Sequence, residues 1–258
     1  MSRKTKSMAK RNRKRRTRSF SFATSFICLA LVLSALVSAA VIFFKIGEVR
    51  VVGETPYSDA EIIEASGLQQ GDSMFLFNKF ASINRIFYQC PYIETIQMKR
   101  TLPDVLSIIV TPCTEAAVIY SSGGWYVIDG SGKILAKTTA AKAEALPKVT
   151  GGELENPEVG KMAKFFDEES EKALFSVLNT AKNNDILSYI GDIDITKVYD
   201  IHFDYMERFT VYVGTGDDLE RKFKFVDAVI AALGPNDRGS IDVSDGKTGY
   251  FSQSNVKY

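Results

Sequence analysis

FSFATSFICLALVLSALVSAAVIFF, residues 20–44, is 25 residues long and carries no charged side chain. At about 1.5 Å of rise per residue a helix of this length reaches roughly 37 Å, enough to cross a hydrocarbon core of about 30 Å with some tilt. Inside lipid every backbone polar group must find its partner within the segment, so the reading is a transmembrane helix. It separates a short arm from the 214 residues that follow.

Residues 1–19 hold ten Lys and Arg and no acid. Lys and Arg beside a span are retained on the cytoplasmic side, which predicts a cytoplasmic N-terminus and an extracytoplasmic remainder. The rival is a cleaved secretory signal, with Ser38 and Ala40 before the cut. Against it, the apolar run exceeds a signal's core of about 7–15 residues and continues through Val41-Ile-Phe-Phe44. The arm is expected to lie on membrane lipid, each cation near the surface adding on the order of 1 kcal/mol of attraction. No aromatic residue interleaves the charges before Phe20, so the stacking platform of a single-strand binder is missing. Without the arm, 22 basic residues face 31 acids, a net charge of about −9. That argues against nucleic acid as a partner and for a self-repelling ectodomain.

Three cysteines are too few for a disulfide framework. Cys28 falls in the span; Cys90 and Cys113 could be bridged in an oxidising compartment or stay as two buried thiols.

Beyond the span, residues 46–52 alternate apolar and polar, as a half-buried strand does. Ser58 with Glu61 three residues on is a capping box opening a short helix that Gly67 stops. Phe80, Ile83, Ile86, Phe87 and Cys90 recur at helical spacing until Pro91. Two alternating strands follow, through Ile96 and Met98 and then Leu106, Ile108 and Val110. The order is β-α-α-β-β.

The ordered set Val49-Arg-Val-Val-Gly53, Tyr57-Ser58, Glu61-Ile62, Ser66-Gly67, Gly71-Asp72-Ser73, Pro91-Tyr92-Ile93, Arg100-x-x-Pro103 and Leu106-x-Ile108-x-Val110 resembles a POTRA domain. It is similar to the one in the bacterial cell-division proteins called FtsQ in some bacteria and DivIB in others. The chain departs from the family's Glu-Arg-x-Pro-x-Ala pattern at Pro112-Cys-Thr-Glu-Ala-Ala117. The resemblance resumes at Tyr126-Val-Ile-Asp129-x-x-Gly132, Leu146-Pro147-x-Val149-x-Gly151, Ile193-Asp-Ile195, Arg208-Phe209-x-Val211, Leu219-x-x-Lys222 and Gly239-x-Ile241-Asp242-x-Ser244. These segments fall on short strands and two amphipathic helices, the second with Leu219, Phe223, Val226, Ile230 and Leu233 on one stripe. Strands at 240–243 and 249–252 flank an Asp245-Gly246 turn of hairpin type.

Catalytic chemistry finds no constellation. The single histidine, His202, sits in a strand pattern, and nearby carboxylates alone do not define a triad. Asp192, Asp194, Asp200 and Asp204 lack the compact ligand spacing and closing Glu of a calcium loop. Gly123-Gly124 and Gly130-Ser-Gly132 open no helix and precede no Lys-Ser/Thr pair, so phosphate cradles are excluded. No cofactor, metal or small-molecule substrate is expected. Binding fits better. The last strand, Thr248-Gly249-Tyr250-Phe251-Ser252, is a candidate sheet edge to which a partner's extended segment could add. The resemblance implies that these residues receive the coiled-coil division protein FtsB or DivIC, itself paired with FtsL. A second reading, an anchored exported enzyme or ligand-binding sensor, places convergent polar groups such as Glu115, Trp125 and Asp129 in an inter-domain cleft.

The expected fold is α+β. It comprises a basic cytoplasmic arm (1–19), a single N-terminal transmembrane helix (20–44) and a βααββ POTRA domain (45–113). A mixed β-sheet domain with flanking helices (114–253) and a tail (254–258) follow. The expected product is a septal membrane scaffold, not an enzyme.

Overall fold

Arg16–Phe43 forms one uninterrupted helix, α1, in a computed structural model that describes residues 16–253. Most of the basic arm (1–15) and the expected tail (254–258) lie outside the described residues. Within α1, Thr24–Phe43 has a mean hydropathy of 2.8 and none of it is buried by the rest of the chain, so the helix is long and apolar enough to cross a membrane.

After α1 come β1 (Glu48–Val52), α2 (Asp59–Ser66), α3 (Lys79–Gln89), β2 (Ile93–Thr101) and β3 (Val105–Pro112). The strands form a sheet of order β1-β3-β2. The capping box closes as read: the Ser58 hydroxyl accepts from the Glu61 N–H, and the Glu61 carboxylate accepts from the Ser58 N–H at 2.7 Å. Gly67 ends α2 in the left-handed region, φ 63°. On α3 the buried face is Ser82 and Ile86, continued by Cys90, whereas Phe80 is 78% exposed. The apolar spacing therefore placed Phe80 on the wrong side of the helix.

Two compact units emerge. One gathers the chain through Arg50 with Leu68–Lys79 and Met98–Ile108, and buries Ile46, Met74, Leu106 and Ile108. The other gathers Val51–Gly67, Phe80–Gln97 and everything from Ile109 onward.

The second unit carries a nine-stranded sheet of order β12-β11-β10-β9-β8-β7-β4-β5-β6. Its members are β4 (Glu115–Ser121), β5 (Gly124–Asp129), β6 (Ile134–Thr138), β7 (Lys148–Thr150), β8 (Ile190–Asp194), β9 (Ile201–Tyr205), β10 (Phe209–Gly214), β11 (Gly239–Asp242) and β12 (Tyr250–Gln253). Helices α4 (Ala140–Ala143), α5 (Glu168–Asn183) and α6 (Leu219–Ala232) complete it.

Alternation sorts the sheet's faces. Ile201, Phe203 and Tyr205 of β9 and Phe209, Val211 and Val213 of β10 are buried. They share one core with Leu174, Val177 and Leu178 of α5 and Phe223 and Val226 of α6. The intervening His202, Asp204, Thr210 and Tyr212 point to the other side and are not buried. Around β4–β6 a second cluster, Val118, Val127 and Leu135 with Ala143 of α4, covers the opposite face. β7 pairs in parallel with both β4 and β8, joining the β4–β6 meander to the remaining strands.

Candidate partner-binding edge

The route into β12 is built by local side-chain bonds. Asp242 accepts from the Ser244 N–H and hydroxyl at 2.9 and 2.7 Å. Asp245 accepts from the N–H groups of Lys247 and Thr248 at 2.8 and 3.0 Å, and from the Thr248 hydroxyl. Those donors, the Lys247 N–H foremost, hold the Asp245 carboxyl below the usual carboxylate range. Gly246 takes φ 61°, which favours glycine, and the turn returns the chain antiparallel to β11 with Asp242 opposite Tyr250 and Ile241 opposite Phe251.

The five residues singled out from sequence separate here. Thr248 and Gly249 belong to the approach, not the strand, which spans Tyr250–Gln253. Gly249 is where the backbone meets α6: a Cβ there would stand 2.7 Å from Val229 Cγ2. Phe251 turns inward, its ring edge-on to Phe209 at 6.2 Å. Tyr250 turns outward, 62% exposed, and Ser252 is exposed too. β12 is the margin of the sheet, and among the described residues no strand pairs with its outer side.

Lys222 supports this margin from below. It sits at 3% exposure on the apolar stripe of α6 and donates from Nζ to the Val213 and Thr215 carbonyls at 2.7 and 2.9 Å. Burial lowers its pKa, against the pull of Asp217 and Asp218. A Cβ on Gly246 would lie 3.7 Å from its Cε, so one lysine underlies both the end of β10 and the turn into β12. A cation at a stripe position, three residues after Leu219 and four before Val226, is the sequence signal that marks it.

Across the uncovered face of the sheet the register sets Asp194, His202, Tyr212, Asp242 and Tyr250 in one row. His202 stacks on Tyr212 at 4.9 Å, and its Nε2 lies 3.9 Å from Asp194. The row holds no Ser, Thr, Cys or Lys.

Glu115, Trp125 and Asp129 are not brought together. Glu115 and Asp129 face each other at one end of the β4–β5 hairpin, whereas Trp125 packs on Tyr120 at the other. Glu115 accepts from the Tyr92 hydroxyl at 2.7 Å and pairs with Lys142 at 3.2 Å. Asp129 closes the β5–β6 turn by accepting from the Ser131 and Lys133 N–H groups. Nearby, Lys182 is paired to Glu94 at 2.5 Å beside a small cleft of about 230 Å³. Cys90 and Cys113 are free thiols. Burial pushes Cys113 up to about 11, despite Lys133 Nζ 3.9 Å from the sulfur, and raises Cys90 as well. Among the described residues no group of three or more His, Cys, Asp or Glu side chains is gathered as a metal site would need.

Comparison with known proteins assigns both halves of the chain after the span. The model of the POTRA domain, FtsQ-type, matches residues 44–111, and that of the cell division protein FtsQ/DivIB C-terminal region matches residues 117–244. The cell division protein DivIB of Clostridium botulinum (strain Hall) is 26% identical over 238 residues, covering 90% of each chain. FtsQ of Corynebacterium glutamicum is 22% identical over 210 residues, 81% of this chain and 88% of the relative. FtsQ of Anaeromyxobacter sp. (strain K) is 26% identical over 216 residues, 79% and 71% respectively.

Proposed function

This chain belongs to the FtsQ/DivIB family of cell division proteins, and from that premise we propose that it is a non-enzymatic, single-pass scaffold of the division septum. Its N-terminus lies in the cytoplasm, α1 crosses the cytoplasmic membrane, and the POTRA and β-sheet domains stand outside. There it binds the coiled-coil division proteins FtsL and FtsB or DivIC and holds them where septal wall synthesis is organised.

The observation that carries this reading is the open margin of β12. A marginal strand offers unpaired N–H and C=O groups, and an extended partner segment gains main-chain hydrogen bonds by adding to it. Tyr250 supplies an exposed aromatic anchor, and the bonded turn at Asp245 fixes the edge in advance, so little ordering entropy opposes docking. Confinement of all partners to one membrane raises their effective concentration, so a short strand suffices.

The test uses the full-length chain in detergent micelles and the exported segment of the FtsB/DivIC-type partner. Lysine on an edge strand blunts strand addition, and Tyr250 and Ser252 are both exposed, so Tyr250→Lys with Ser252→Lys is expected to leave the fold intact, checked by circular dichroism. The double variant is expected to weaken binding by about tenfold or more, the scale of losing one aromatic anchor. Unchanged affinity in the folded variant rules out β12 as the docking strand.

A further inference from the structure

We propose that the loop Gly71–Phe77, together with the β2–β3 turn, is a membrane-interface foot that seats in the headgroup layer where α1 leaves the bilayer. The inference rests on α1 being a membrane span.

Both segments are fastened to the few residues that follow the helix. The Met74 N–H donates to the Phe44 carbonyl at 3.0 Å, the Ile46 N–H to the Asp72 carbonyl at 2.8 Å, and the Gly71 N–H to the Ile46 carbonyl at 2.8 Å. Lys45 and Ser73 form an antiparallel bridge. From the β2–β3 turn, the Asp104 carbonyl accepts from the Gly47 and Glu48 N–H groups at 2.8 and 3.2 Å. α1 ends at Phe43, and consecutive Cα atoms are about 3.8 Å apart, so these attachments begin within one or two residues of the helix end. The headgroup layer on each side of the hydrocarbon is several ångströms thick, about 5–7 Å. The foot therefore starts where that layer is.

The exposed side chains suit it. With Met74 fully buried as the peg, Leu76 is 69% exposed, Phe75 45% and Leu102 56%. Phe75 also packs edge-on against Phe44 at 5.8 Å, continuing the apolar surface of the span. Arg100 donates from Nε to the Met74 carbonyl at 2.8 Å, with its guanidinium 6.0 and 5.3 Å from the Phe75 and Phe77 ring centres. Lys45 is exposed beside it. Aromatic and aliphatic groups with snorkelling cations at their margin are the composition of a bilayer interface, and the cations fit anionic headgroups. In water the same apolar group would be an uncompensated exposed patch.

The experiment reconstitutes the full chain in nanodiscs containing phosphatidylglycerol. The one native tryptophan is removed by Trp125→Phe, and reporters are introduced singly as Leu76→Trp and Leu33→Trp. The expected result is loss of Leu76→Trp emission with lipids brominated near the headgroup end of the acyl chains, and weak quenching by aqueous iodide. Leu33→Trp should be quenched by lipids brominated deep in the chain. If Leu33→Trp is quenched and Leu76→Trp responds only to iodide, the foot is refuted and the anchor stands. If neither reporter responds to brominated lipid, the anchor itself fails.

Discussion

Replacing Lys222 by methionine tests how the β12 margin of the sheet is held. The ammonium makes two buried hydrogen bonds, to the Val213 and Thr215 carbonyls. Hydrogen bonds to a charged group contribute roughly 1.5–3 kcal/mol each, so the gross loss is about 3–6 kcal/mol. Part returns, because burial already disfavours the charged lysine, as its lowered pKa records. A net loss of about 2–4 kcal/mol follows, since Met fills the space but cannot replace the two donated bonds. Hydrogen exchange read by mass spectrometry on the full chain should show β10 amides exchanging about 30- to 700-fold faster, at 1.4 kcal/mol per decade. The turn at 244–248 should loosen with it. The pH dependence has a definite sign. Because the folded pKa is lowered, the unfolded chain binds the proton more tightly. Stability therefore rises with pH from the folded value toward the unfolded value near 10.4. Lys222→Met should abolish that alkaline rise. Less than about threefold acceleration at β10, under about 0.7 kcal/mol, would refute the reasoning.

Gly53 adopts φ 125°, and a Cβ there would collide with the Val110 carbonyl, so Gly53→Ala should destabilise by more than about 2 kcal/mol in thermal or denaturant unfolding. Cys90 and Cys113, both held in the thiol form by burial, should resist iodoacetamide at pH 8 and react once the chain is unfolded, a difference read by mass spectrometry. Asp167 caps α5, and the Ser170 hydroxyl together with the N–H groups of Ser170 and Glu169 holds its carboxyl low. Its capping contribution is complete above the unfolded carboxylate value near 3.9 and disappears as pH falls through the folded one. Protection of the amides of residues 168–171, measured against their intrinsic exchange rates at each pH, should fall at acid pH, and Asp167→Asn, which keeps a capping oxygen, should remove that acid dependence.

Features carried by neighbouring residues were readable before the structure. The Ser58–Glu61 box, the Gly67 stop and the Asp245-Gly246 hairpin each place their own signal within a few positions of the bond they make. That Tyr250 and Phe251 point to opposite faces follows from strand alternation, but which of the two turns inward does not. β7 was not legible. Three residues between Pro147 and Gly151 carry no period, and its partners, near Val118 and Ile193, are distant in the chain. Phe80 was misplaced because the buried face of α3 runs through a serine, so polarity hid it. Sheet order, and with it the marginal position of β12, depends on pairings between β10 and β11 across the whole of α6, which no local pattern encodes. Lys222 lay in view as a charge on an apolar stripe, but its carbonyl partners are set by tertiary packing.

The brevity of β7 has a mechanical corollary. A pull applied crosswise to the strands, from the Tyr250 border toward β6, is transmitted through each ladder in series. Its slenderest link is Lys148–Thr150, clasped by only two residue pairs on either flank. A load that exceeds its strength should tear the nine-stranded sheet at one flank of that rung, into fragments of three and six or of four and five strands, long before the hairpins on either side yield.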